Sequence, residues 1–145
     1  MRRNLGILVP ALGLCGILFL TAAPALAHHG FDTEYDAKKK VKLTGVVTQV
    51  AWTNPHMRVY IDVTGPDGKV TNWNLELTSP NRIRRQGWGP NDLVPGEKVT
   101  FEGYGGKIVE SRGSLLSITK VGENIPLFEE GGPETAGQQR PDGLR

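Results

Sequence analysis

Between residues 57 and 77 the chain alternates apolar and polar side chains with a period of two. Met57, Val59, Ile61 and Val63 interleave with Arg58, Tyr60 and Asp62. Trp73, Leu75 and Leu77 interleave with Asn72, Asn74 and Glu76. Each run predicts a half-buried strand, because successive side chains on a strand point to opposite faces. Gly65-Pro66-Asp67-Gly68 predicts the turn between them. A longer strand is expected over Val41 to Trp52, with Gly45 marking a bend or bulge. Ser79-Pro80 predicts a short helix, with Ser79 as cap, Pro80 at the first helical position and Gly87 as its end. Pro95-Gly96 turns the chain into a strand over Lys98 to Tyr104, and Leu115 to Val121 reads as the last strand.

Three strands, a helix and two strands over about eighty residues match the order of a small five-stranded OB-like barrel. The expected class is therefore all-β, with a small sandwich as the alternative. The hairpin permits a sharper expectation. If the apolar faces coincide, paired residues share parity. Centring the turn on Asp67 pairs Ile61 with Trp73 and Val59 with Leu75. The polar face then sets Arg58 opposite Glu76 and Tyr60 opposite Asn74, with His56 at the rim. An Arg58–Glu76 pair is a structural reading of Glu76 that competes with a catalytic one.

Flanking this domain, Met1 to Asn4 is a basic head, Leu5 to Leu20 is apolar, and Ala25-Leu26-Ala27 supplies small residues for cleavage. The apolar run of 16 residues is shorter than the ~20 that span a bilayer. The expectation is a signal peptide over residues 1–27 of the general export type, cleaved after Ala27, and a periplasmic or secreted product. An uncleaved anchor is the alternative. Residues 28–40 read as a polar N-terminal arm, 41–122 as the barrel, and 123–145 as a disordered C-terminal tail.

Composition sharpens this picture in two places. The chain has 17 Lys and Arg against 15 Asp and Glu, and Arg2 and Arg3 account for the whole excess. The processed chain is formally neutral, which argues against a nucleic-acid binder driven by overall charge. The single cysteine, Cys15, also falls in the leader, so no disulfide is expected in the product.

Processing after Ala27 would make His28 the first residue, followed by His29. An α-amine titrates near ~8 and imidazole near ~6.5, so both are accessible as neutral nitrogen ligands near neutral pH. With His56 they form a candidate metal site of His28, His29 and His56. Such a nitrogen-rich set suits Cu(II) better than Zn(II) or Ni(II). The competing reading makes His28-His29 a polar chain end and His56 a turn residue. Asp32, Glu34 and Asp36 lack the glycine and distal glutamate of an EF-hand and read as a solvated arm, as does Lys38-Lys39-Lys40.

Candidate binding residues are Trp52, Arg58, Glu76, Arg82, Arg85 and Trp88. Arg82, Arg84 and Arg85, with Trp88 after them, offer guanidinium forks to an anionic envelope partner. The plainer reading is a basic exposed helix face with Ile83 packed inward. Trp52 is the one tryptophan placed to stack outward near His56. No nucleophile elbow, phosphate loop or Ser-His-Asp order occurs. The reading that follows is a periplasmic binding module with copper at its N-terminus. The alternatives are a metal-free envelope interaction module using Arg82–Trp88 or a small copper-dependent redox enzyme.

Five segments occur in order: His28-His29-Gly30-Phe31, Trp52-Thr53-Asn54-Pro55-His56, Trp73-Asn74-Leu75-Glu76, Ser79-Pro80-Asn81 with Arg85-Gln86-Gly87-Trp88, and Pro95-Gly96-Glu97-Lys98-Val99 with Gly103-Tyr104. Together they resemble domain-of-unknown-function family 6152, small exported bacterial proteins, over about Ala27 to Val121. The resemblance implies an exported Gram-negative protein without an established activity. Gly30 stands where that family often carries serine.

Overall fold

The computed structural model describes residues 30–130. Its contacts divide the chain at Glu34, with Tyr35 beginning the second compact unit. Of the first unit, residues 30–34 are helical, and Thr33 Oγ1 donates to the Gly30 carbonyl at 2.8 Å. The expected leader and cleavage point lie outside the described residues, as do His28 and His29. No described helix is long and apolar enough to cross a membrane.

The second unit is built from β1 (Tyr35–Ala51), β2 (Arg58–Thr64), β3 (Val70–Glu76), α1 (Pro80–Arg85), β4 (Lys98–Gly106), β5 (Arg112–Lys120) and β6 (Phe128–Glu129). β1 pairs antiparallel with both β2 and β4, β2 with β3, and β4 with β5. A parallel pairing of β3 with β5 closes these five strands into a ring. The result is the expected OB-like arrangement, with the helix between strands three and four.

The hairpin register agrees with the parity argument at every expected pair. Arg58 faces Glu76, Val59 faces Leu75, Tyr60 faces Asn74 and Ile61 faces Trp73. Alternation fixes this because a slip of one residue would move Val59, Ile61 and Leu75, all wholly buried, to solvent. The turn carries Gly68 at φ +78°, and Asp67 Oδ1 accepts from the Lys69 amide. Gly45 marks a close approach: a Cβ there would sit 2.4 Å from the Asp62 carbonyl oxygen. The bulge itself falls two to four residues later, where the register shifts between Val47 and Gln49.

Trp88, Phe101, Phe128, Met57, Ile61, Leu75 and Ile83 are the larger side chains of the core. Ser79 occupies the N-cap position and Pro80 the first helical turn, as the sequence predicts, but the Ser79 side chain makes no capping hydrogen bond.

Two boundaries differ from expectation. β1 begins at Tyr35, inside the segment assigned to a polar arm, because its first residues pair with the end of β4, Tyr35 opposite Gly106 and Lys40 opposite Tyr104. Order also continues beyond Gly122, where the tail was expected to begin. Leu127 and Phe128 are buried, and Phe128–Glu129 forms a sixth strand against β5. Two adjacent apolar residues suffice here because the sheet supplies the rest of their surroundings. Residues 131–145 of the expected tail lie outside the described residues.

Candidate functional site

The site is assembled on the outward face of the β2–β3 hairpin, where its strands meet the loop from β1. Trp52 to Met57 form that loop, with a cis Asn54–Pro55 bond and a Thr53 Oγ1 hydrogen bond to the His56 carbonyl at 3.2 Å. The ladder runs on past β2: the Met57 amide donates to Thr78 O and the Leu77 amide to Met57 O. Met57 is thereby held in the core, and His56, one residue earlier, is turned outward and 51 % exposed.

Glu76 is the centre of the arrangement, and its side chain is only 17 % exposed. Its Oε2 accepts from Arg58 Nη2 at 2.5 Å and from the Tyr35 hydroxyl at 3.0 Å. Its Oε1 lies 2.8 Å from His56 Nδ1. Arg58 Nη1 continues the network to Asn74 Oδ1 at 3.1 Å. A carboxylate so enclosed needs partners to offset its lost hydration: β1 and β2 give two hydrogen bonds to Oε2, and the loop before β2 brings an imidazole nitrogen close to Oε1. A hydrogen bond from this ring to an ionised carboxylate requires the proton to be on Nδ1. In the neutral ring the lone pair is then on Nε2, directed away from Glu76.

Beside this cluster, Trp52 and Trp88 meet edge to face with ring centroids 5.8 Å apart. The Arg84 guanidinium lies over the Trp52 ring at 5.7 Å. The half-buried Trp52 therefore has one face occupied by a cation of its own chain. Trp88 is 1 % exposed and belongs to the core. This corrects its assignment to an envelope-facing surface: it is part of the core cluster that also holds Ile83 of α1 and the inward residues of the strands. Arg82 is half-buried and lies 3.9 Å from Glu130, while Arg85 is exposed. Ile83 is fully buried, in keeping with the plainer reading of the helix.

Of the candidate residues, the structure brings together His56, Arg58 and Glu76. It sets Trp52 and Trp88 in a second group. Tyr35 and Asn74 belong to the first group and were absent from the candidates. The available signal for Tyr35 was a lone tyrosine in an otherwise charged segment. Among the described residues, no three His, Cys, Asp or Glu side chains converge closely enough to hold a metal ion. His56 and Glu76 offer at most one imidazole and its supporting carboxylate.

Fold and site define a small OB-like barrel carrying a carboxylate-centred polar cluster on its rim. The chain belongs to a family of unknown function, DUF6152, whose profile matches residues 17–115. Among solved structures it is similar to the mitochondrial single-stranded DNA binding protein Rim1 of S. cerevisiae, at 13 % identity and a TM-score of 0.43, covering 57 % of this chain and 94 % of that one. A selenomethionine-labelled crystal of the same yeast protein gives 12 % identity and the same TM-score. No curated protein matches the chain.

Proposed function

We propose that this is an exported periplasmic binding module that takes Cu(II). His56 Nε2 is one ligand. The α-amine and imidazoles of a processed His28-His29 terminus are the others. The observation that carries the reading is the 2.8 Å contact between Glu76 Oε1 and His56 Nδ1. Metal-binding imidazoles characteristically give their other ring N–H to a carboxylate, which fixes the tautomer and raises ligand basicity. Glu76 is itself held by Arg58 and Tyr35, so the ring is oriented before any ion arrives. Imidazole and amine nitrogens form the donor set that favours Cu(II) in tetragonal geometry.

Calorimetric titration of Cu(II) into chain processed after Ala27 tests the proposal, beside chain retaining one extra residue before His28 and beside His56→Ala. Both changes are expected to weaken binding at least tenfold. Equal affinity in all three would overturn the copper reading, as would mass spectrometry showing a different first residue in the exported product. A metal-free envelope module would then be the surviving alternative.

A further inference from the structure

A second surface lies at the β4–β5 turn. Ile108 is 89 % exposed, and Val109 beside it is also exposed. Two large aliphatic side chains in succession on a loop tip leave a small apolar patch in water, which contact with an apolar layer would cover. The turn is held in shape. The Arg112 amide donates to Val109 O at 3.1 Å, and Gly106 lets the chain close so tightly that a Cβ there would fall 2.2 Å from that same oxygen.

The topology adds charge to this tip. The bulged start of β1 pairs with the end of β4, which brings Lys38, Lys39 and Lys40 beside the turn that carries Lys107. The Lys39 stem lies across Gly105, where a Cβ would meet its Cδ at 3.0 Å, and its ammonium reaches Glu110 at 3.6 Å. Lys38, Lys40 and Lys107 are exposed. Four lysines thus lie on or alongside the turn that carries the two exposed aliphatic side chains, with Asp36 and Glu110 as the nearby acids. Among the described residues, this tip joins the most exposed large apolar side chain, Ile108, to a local excess of positive charge.

We infer that this tip docks reversibly on an anionic phospholipid bilayer, with Ile108 and Val109 entering the interfacial layer and the lysines facing lipid phosphates. An apolar wedge framed by basic side chains is the combination that binds such surfaces: burial of the wedge and attraction to the negative surface act together. This inference is independent of the copper reading, since it uses no residue of the Glu76 cluster.

Co-sedimentation with vesicles of phosphatidylglycerol and phosphatidylethanolamine, against vesicles of phosphatidylcholine alone, tests it. Wild-type chain beginning at His28 is expected to sediment with the anionic vesicles only and to be released by salt. Ile108→Ser with Val109→Ser is expected to lower binding roughly tenfold or more. Lys38→Gln with Lys40→Gln is expected to lower it about fivefold for each charge removed. All four side chains are exposed, so the folded domain survives, and an unchanged melting temperature checks this. Equal binding to phosphatidylcholine, or retention by the Ile108/Val109 variant, would overturn the inference. So would a change of oligomeric state in that variant, which would assign the tip to a second copy of the chain.

Discussion

Arg58 and Glu76 stand directly opposite each other on β2 and β3, and Arg58 Nη2 lies 2.5 Å from Glu76 Oε2. Both side chains are mostly buried, so the pair is weakly screened by water. It also has company: Tyr35, His56 and Asn74 engage the same two groups. That separates it from an exposed cross-strand pair, worth only ~0.2–1 kcal/mol.

Glu76→Gln is therefore expected to destabilise the domain by about 1–3 kcal/mol, since the amide turns an N–H toward a cation on one side or an imidazole N–H on the other. Denaturant midpoints measure this. A double-mutant cycle with Arg58→Met is expected to show coupling of at least ~0.5 kcal/mol. Additive losses would mean that the two groups do not act together.

The same carboxylate lies 2.8 Å from the imidazole Nδ1 and is expected to set the position of its proton. Neutral His56 is expected to carry it on Nδ1, and Glu76→Ala is expected to let the ring populate the Nε2–H tautomer. Imidazole nitrogen chemical shifts read the two forms directly. A wild-type ring protonated on Nε2 would remove Glu76 as the group that orients this ligand.

The parts of this arrangement legible in the sequence are those fixed by local periodicity. Val59, Ile61, Trp73 and Leu75 determine a register, and Arg58 opposite Glu76 follows from it without knowledge of the rest of the barrel. Tyr35 reaches Glu76 across 41 positions because β1 runs the length of the barrel and bulges twice, and a bulge breaks the period that would have revealed the strand. Trp88 follows a glycine and a basic helix, which resembles a surface patch until Trp52 and the strands close around it. Leu127 and Phe128 form too short an apolar run to register against their Gly- and Glu-rich surroundings. In each case the missing information is a long-range contact.

Glu97 predicts a pH response remote from the site. Burial pushes its carboxyl up, but the hydrogen bond from Lys120, the Val94 amide and the Lys120 charge together hold it below its ordinary value of 4.5. A carboxylate depressed in the folded state stabilises that state above the unfolded value and loses the contribution as pH falls through the folded one. Stability is accordingly expected to decline as pH drops below 4.5, and Glu97→Gln is expected to flatten part of that decline. Melting temperatures of both chains across the acid range decide it, and parallel curves would show that Glu97 contributes nothing.

Phe128 tests how far the folded domain extends. Its ring is 1 % exposed, and its neighbour Leu127 donates its amide to Ile118 O at 2.8 Å. The segment therefore covers the side of β5 away from β4, and its removal would expose Ile118. Phe128→Ala creates a cavity there and is expected to cost about 3–5 kcal/mol. That is a large fraction of the 5–15 kcal/mol typical of a domain. Thermal unfolding measures the loss. A change below ~1 kcal/mol would mean that the Phe128 ring contributes little to the folded domain despite its burial.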